Sequence, residues 1–136
     1  MADLTTGTIK IGTDVTEANY QRVQVGEAVG GGDPLYLKSS DQKYWQAQAD
    51  DSAEAEATGI ALFAADADGY TIMLTGGSID LGTTLVVGTT YVVSATKGAI
   101  APITDLATGN YSTILGTATT AALLKMNIAA SGVALP

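Results

Sequence analysis

The chain repeats itself with a shift of about 56 residues. Gly26-Glu27-Ala28-Val29-Gly30-Gly31-Gly32-Asp33-Pro34-Leu35-Tyr36-Leu37-Lys38 aligns with Gly82-Thr83-Thr84-Leu85-Val86-Val87-Gly88-Thr89-Thr90-Tyr91-Val92-Val93-Ser94. Both copies place an apolar residue three positions after a Gly, a second Gly three positions later, and then an apolar run. Gly supplies the backbone angles a tight turn needs, and the run behind it alternates like a strand with one face in a core. Pro34 fits the first position of such a strand, where no donor is lost from the ladder.

The two copies also close alike. Thr58-Gly59-Ile60-Ala61-Leu62-Phe63 leads through Asp66-Ala67-Asp68-Gly69 into Tyr70-Thr71-Ile72-Met73-Leu74, an Asp-Gly hairpin between apolar runs. Ile114-Leu115-Gly116-Thr117-Ala118 leads through the shorter Thr119-Thr120-Ala121-Ala122 into Leu123-Leu124-Lys125-Met126-Asn127-Ile128. Between the copies, Thr75-Gly76-Gly77-Ser78-Ile79-Asp80 reads as a turn followed by a return strand. Asp50 through Ala57 is the one helix candidate, of two turns, with Asp50 or Ser52 as N-cap. Two copies are too few for a solenoid. The expected fold class is therefore all-β: a compact β-barrel or β-sandwich-like body built from a duplicated hairpin unit, with at most one short helix and an extended N-terminal arm. Residues 1–20 form the arm, where Thr8-Ile9-Lys10-Ile11-Gly12 alternates but has few apolar neighbours. Residues 21–136 form the body, with pseudo-repeats at about 23–75 and 79–128.

Composition supports strands over helices. Of 136 residues, 46% are hydrophobic and only 15% charged, so Thr, Ser and Gly dominate the polar remainder. The net charge of -8 is unevenly placed: every acidic residue except Asp105 lies at or before Asp80. The six basic residues, Lys10, Arg22, Lys38, Lys43, Lys97 and Lys125, form no cluster able to neutralise phosphates, which argues against a nucleic-acid partner. The N-terminus has neither the cationic start nor the apolar run of a signal peptide, and no apolar run approaches about 18 residues. A soluble protein made in the cytoplasm, without membrane contact, is expected.

The chain has no His and no Cys, and so lacks the commonest general base, the usual nucleophilic triads and the most frequent transition-metal ligands. Gly30-Gly31-Gly32 is followed by Asp-Pro instead of the Lys-Ser/Thr of a phosphate loop. Asp66 and Asp68 before Gly69 suggest a calcium loop, but no acidic residue closes it. Asp50, Asp51, Glu54 and Glu56 offer carboxylate pairs for a glycosidase, with only Trp45 as a sugar platform, and read better as a solvated acidic segment. Asn110-Tyr111-Ser112 matches a glycosylation acceptor that means little without secretion. No enzyme activity and no cofactor or metal is expected. Trp45 and its neighbour Tyr44 admit two readings, a cover over the core edge or an anchor in a protein interface.

The duplicated Gly-turn-strand order resembles the small head-decoration, or capsid cement, proteins of tailed bacteriophages. The likeness is carried by Val25-Gly26-Glu27-Ala28-Val29 with Gly32-Asp33-Pro34-Leu35-Tyr36-Leu37, by Thr58-Gly59-Ile60-Ala61-Leu62, by Leu74-Thr75-Gly76-Gly77, and by Gly88-Thr89-Thr90-Tyr91-Val92-Val93-Ser94 with Leu115-Gly116-Thr117-Ala118. These cover most of the chain from Val23 to Ile128, and their order and spacing carry more than any one of them. The resemblance implies a virion protein on the outer surface of an expanded head, partnered by the major capsid protein and assembled as a homo-oligomer, often a trimer. It implies no catalytic residue. Contacts with the capsid are expected at Leu4, Ile9, Lys10 and Ile11 of the arm, which could add as a strand to an exposed sheet edge of the shell, and at Tyr44 and Trp45. The alternative is a fibre, spike or other surface-adhesion β module, although no heptads or longer repeats feed the body.

Overall fold

Gly32, with φ 91°, and Gly88, with φ 84°, occupy the left-handed region that residues with a Cβ avoid. Each is followed by a strand two residues further on, β3 (Pro34–Lys38) after the first and β7 (Thr90–Val93) after the second. The computed structural model describes residues 10–11 and 19–134, and across them the two turns are held by the same bonds. Gly32 N donates to Ala61 O at 2.7 Å and Gly88 N to Ala118 O at 2.8 Å. Ala61 N returns to Asp33 O at 2.9 Å, and Ala118 N to Thr89 O at 3.0 Å. Val29 N donates to Ala65 O at 2.9 Å, and Leu85 N to Ala121 O at 2.8 Å. The repeat is thus a repeat of hydrogen bonds as well as of letters.

The first unit continues through β4 (Lys43–Gln46), β5 (Gly59–Ala61) and β6 (Tyr70–Asp80), and the second through β8 (Ile100–Pro102), β9 (Tyr111–Ala118) and β10 (Leu123–Ala134). The strand order is β4-β3-β5-β6-β10-β9-β7-β8, antiparallel throughout, so it reads alike in both directions from the β6–β10 pair. β2 (Asn19–Gln24) runs along Tyr70–Gly76, while β1 (Lys10–Ile11) pairs with Ile79 and Asp80. The second half of β6 stands to β10 as β2 stands to the first half of β6. Val23 faces Thr71 and Gln21 faces Met73 in one pair; Ile79 faces Leu124 and Gly77 faces Met126 in the other.

The turn expected at Thr75–Asp80 does not form. β6 runs straight through it, with Gly77 at φ 92° and a slip in the β2 register between Asn19 and Tyr20. Partners flank the glycines without interruption, β2 as far as Gly76 and β10 from Gly77, so the backbone is satisfied by bending and has no need to reverse. The two-turn helix expected at Asp50–Ala57 is also absent. The segment is a turn with Asp51, not Asp50 or Ser52, as the cap: its Oδ1 accepts from Ala53 N at 2.9 Å. A single helical bond remains, from Ala55 N to Asp51 O at 2.9 Å, and the second unit binds the segment at Ala49 and Ala55. Ala49 N donates to Ser94 O at 2.9 Å, Tyr111 N to Ala49 O at 2.7 Å, and the buried Thr113 hydroxyl to Ala55 O. The described residues include one 3₁₀ turn, Ile103–Asp105, and otherwise strands and loops.

Val23, Val25, Val29, Leu35, Ala61 and Met73 cluster inside the first unit, with Tyr44 and Ala65 packed against them. Val23, Leu35, Tyr44, Ala61 and Met73 come from β2 to β6 and the others from the loops, and a parallel bridge between Val25, just past β2, and Tyr44 of β4 curls the sheet onto itself. The larger cluster holds the equivalents in the second unit, Ile79, Leu81, Leu85, Tyr91, Ala118 and Met126, and continues into Tyr36, Ile60, Leu62 and Leu74. Leu35 and Tyr36 are neighbours in sequence, both buried, and belong to different clusters, as do Ile60 and Ala61 and Met73 and Leu74. Side chains alternate across a strand, so the sheet of the first unit is covered on both faces, one of them shared with the second unit.

Candidate interaction surfaces

Leu4 and Ile9 lie outside the described residues. Lys10 and Ile11 are the two residues of β1, laid antiparallel on β6 with Lys10 opposite Asp80 and Ile11 opposite Ile79. These two residues therefore take strand form against a sheet of their own chain.

Tyr44 and Trp45 sit side by side on β4 and so point to opposite faces. Tyr44 packs on the interior cluster of the first unit, and its hydroxyl accepts from Gln21 Nε2 at 3.1 Å. Trp45, opposite Tyr36, is half-buried against the larger cluster. Its ring lies on Gly26, where any Cβ would come within 2.4 Å of the indole. Lys38 Nζ stands 4.1 Å from the ring centroid, and Nε1 donates to Asp41 Oδ2 at 3.0 Å. The chain itself thus supplies a floor, a cation and a hydrogen-bond acceptor for the indole.

Beside Trp45 the two units are tied by polar groups. Glu27 Oε2 accepts from Gln46 N at 3.1 Å, while its Oε1 pairs with Lys97 of the second unit at 2.8 Å. Asp33 Oδ2 accepts from Gln46 Nε2 at 2.6 Å and from Gly30 N at 2.7 Å. Burial pushes the Asp33 carboxyl above its usual range, opposed by those two hydrogen bonds and assisted by the Glu27 charge. These bonds fix the Gly30–Gly32 turn and offer no open coordination geometry. Among the described residues, no group of three or more acidic side chains converges as a metal ion would require. Asp68, at φ 67°, and Gly69 form a turn in which Gly69 N donates to Asp66 O at 2.8 Å.

The exposed large apolar side chains fall in places that sequence reasoning did not single out. Tyr20 and Tyr70 stand out from the β2–β6 ladder, where Arg22 lies 4.2 Å from the Tyr70 ring centroid. Val86 and Val87, each 61% exposed, form the tip of the second Gly turn. The alignment held a signal for that tip, since it sets Val86 and Val87 against Gly30 and Gly31. Ten of the fourteen acidic residues lie between Glu27 and Asp80, whereas beyond Leu81 only Asp105 is acidic. No helix among the described residues is long and apolar enough to cross a membrane.

No protein-family model matches the chain, and no curated protein is significantly similar to it.

Proposed function

We infer that this chain is a structural virion protein that binds the outer surface of a bacteriophage head and clamps neighbouring major capsid subunits, acting as a trimer. The observation that carries this is the duplicated Gly-turn-strand body, whose motif order is that of the head-decoration proteins it resembles. Two features fit the role. The units share a core and a strand, giving a body that holds its shape under load. The leading segment pairs as a strand at Lys10 and Ile11, and strand addition is the mode proposed for Leu4 and Ile9 against the shell.

A protein that binds the expanded lattice and not its dissociated subunits stabilises the lattice by mass action, and a trimer gains effective concentration from modest single contacts. The acidity of the first unit suits an outward-facing surface, away from packaged DNA. The test is to mix the purified protein with expanded, undecorated heads of the virus that encodes it and image them. Ordered density at the junctions between capsid subunits is the expected result. Bare heads would sink the proposal and leave a surface-adhesion module as the better account.

A further inference from the structure

We propose that the Val86–Val87 turn is an apolar anchor that seats in an uncharged pocket of the major capsid protein; this rests on the capsid reading above. The duplication supplies an internal control for what the turn needs in order to fold. Thr89 N donates to Val86 O at 3.0 Å as Asp33 N donates to Gly30 O at 3.2 Å, and the flanking bonds from Leu85 and Gly88 match those from Val29 and Gly32. The first unit makes all of these bonds with Gly30 and Gly31 at the tip. Side chains at the two positions therefore contribute nothing the turn requires, and β-branched residues are uncommon choices for an exposed turn. Yet the second unit presents two valines there, each 61% exposed.

The tip is also held in place. Val86 N donates at 3.0 Å to the hydroxyl of Tyr91, a fully buried side chain. Valine has a stiff χ1, so little rotamer freedom remains to be lost on docking. Exposed Ala121 and Ala122 adjoin the tip through the Leu85 N bond to Ala121 O, and no charged residue occurs in 82–96 or 106–124. The tip and these flanks carry no ion of their own, and Asp80, opposite Leu123 at the end of this patch, is held by Gly82 N at 2.8 Å.

The shape and size of the tip select the occupant. Two protruding turns meet over less than either presents, so a symmetric tip-to-tip contact between two copies falls far short of the about 800 Å² per partner that a stable dimer needs. A knob of this kind contributes most as a central plug within a larger interface, filling a concavity on the other protein. The acidic first unit offers no such uncharged knob at the equivalent Gly30–Gly31.

The experiment titrates expanded, undecorated heads with three proteins: wild type, Val86→Gly/Val87→Gly, and Val86→Thr/Val87→Thr. The glycine variant reproduces the tip of the first unit. The threonine variant keeps the β-branched shape, so its folding is not in question, but places hydroxyls in the pocket. Melting curves of the free proteins are expected to stay close to wild type. Head affinity should fall roughly a hundredfold for the glycine variant and at least tenfold for the threonine variant, from two buried valine side chains lost or made polar. Wild-type affinity in a folded threonine variant overturns the anchor while leaving the capsid reading intact. Failure of the wild-type protein itself to bind removes the capsid reading and the anchor with it.

Discussion

The first and second units have the same bonds and different linings. Val23, Val25, Val29 and Leu35 of the first correspond to Ile79, Leu81, Leu85 and Tyr91 of the second, so at each of these four positions the second unit carries the larger side chain. Ala61 and Ala118, and Met73 and Met126, are matched in kind. The first unit curls until β2 meets β4 at Val25 and Tyr44, around its smaller residues. The second fills a wider interior and shares it with the outer face of the first. The lining residues change together while the turn bonds stay the same, because a packed core tolerates neither voids nor crowding. The surfaces are under no such restraint, and there the units diverge: acidic turns on one, an uncharged apolar tip on the other.

The sharpest way to break the equivalence is at the glycines opposite the last of these four positions, Gly59 facing Leu35 and Gly116 facing Tyr91. A Cβ on Gly116 would sit 2.1 Å from the Lys125 carbonyl oxygen, whereas on Gly59 it first meets the flexible Met73 Cγ at 2.5 Å and then Leu74 O at 2.6 Å. Gly116→Ala should cost about 3 kcal/mol or more and Gly59→Ala about 2 kcal/mol in denaturant unfolding. Equal costs would show that the close approach differs less between the units than the geometry says.

Next in size is Thr113→Val, which strands the Ala55 carbonyl in a buried site where the 47–57 segment crosses to the second unit. A loss of about 1–2 kcal/mol is expected, and a neutral result would mean that water reaches the carbonyl. Smaller, and confined to alkaline solution, is the effect of Tyr36, whose counterpart is Val92 with no proton to lose. Burial first, and the Glu54 carboxylate second, push the Tyr36 hydroxyl from 10.0 up to about 12. Between those values the unfolded chain has lost a proton that the folded chain keeps, so stability falls as pH rises through the window. Tyr36→Phe should flatten that fall, checked by urea midpoints on either side of it. The least effect is expected from Lys97→Ala, which removes the partly exposed pair with Glu27 and should cost under about 1 kcal/mol.

Much of this organisation was legible in the residues. The Gly spacing located the turns at Gly32 and Gly88 and the starts of β3 and β7, because a left-handed turn has one favoured residue and a strand behind it has a period. What failed was local judgement where tertiary partners decide. Gly76-Gly77 reads as a reversal in isolation, and it becomes a bend because β2 and β10 lie ready on either side. Asp50 through Ala57 carries helical signals, yet Ala49 and Ala55 are bonded to the second unit. Trp45 was visible as the one indole, but the pairing of its ring with Gly26 and Lys38 was not, since those residues lie 19 and 7 positions away in the chain. The apolar tip was on view in the alignment, which sets Val86 and Val87 against Gly30 and Gly31.

β6 ends one unit and begins the other, with no linker between them. Neither unit is complete without its part of that strand, and the larger core draws on both. Melting should accordingly be a single transition in which calorimetric and van't Hoff enthalpies agree. The same continuity sets the mechanics: tension entering through one unit passes to the other along eleven residues of unbroken backbone, a load path with no slack to take up before the whole molecule resists.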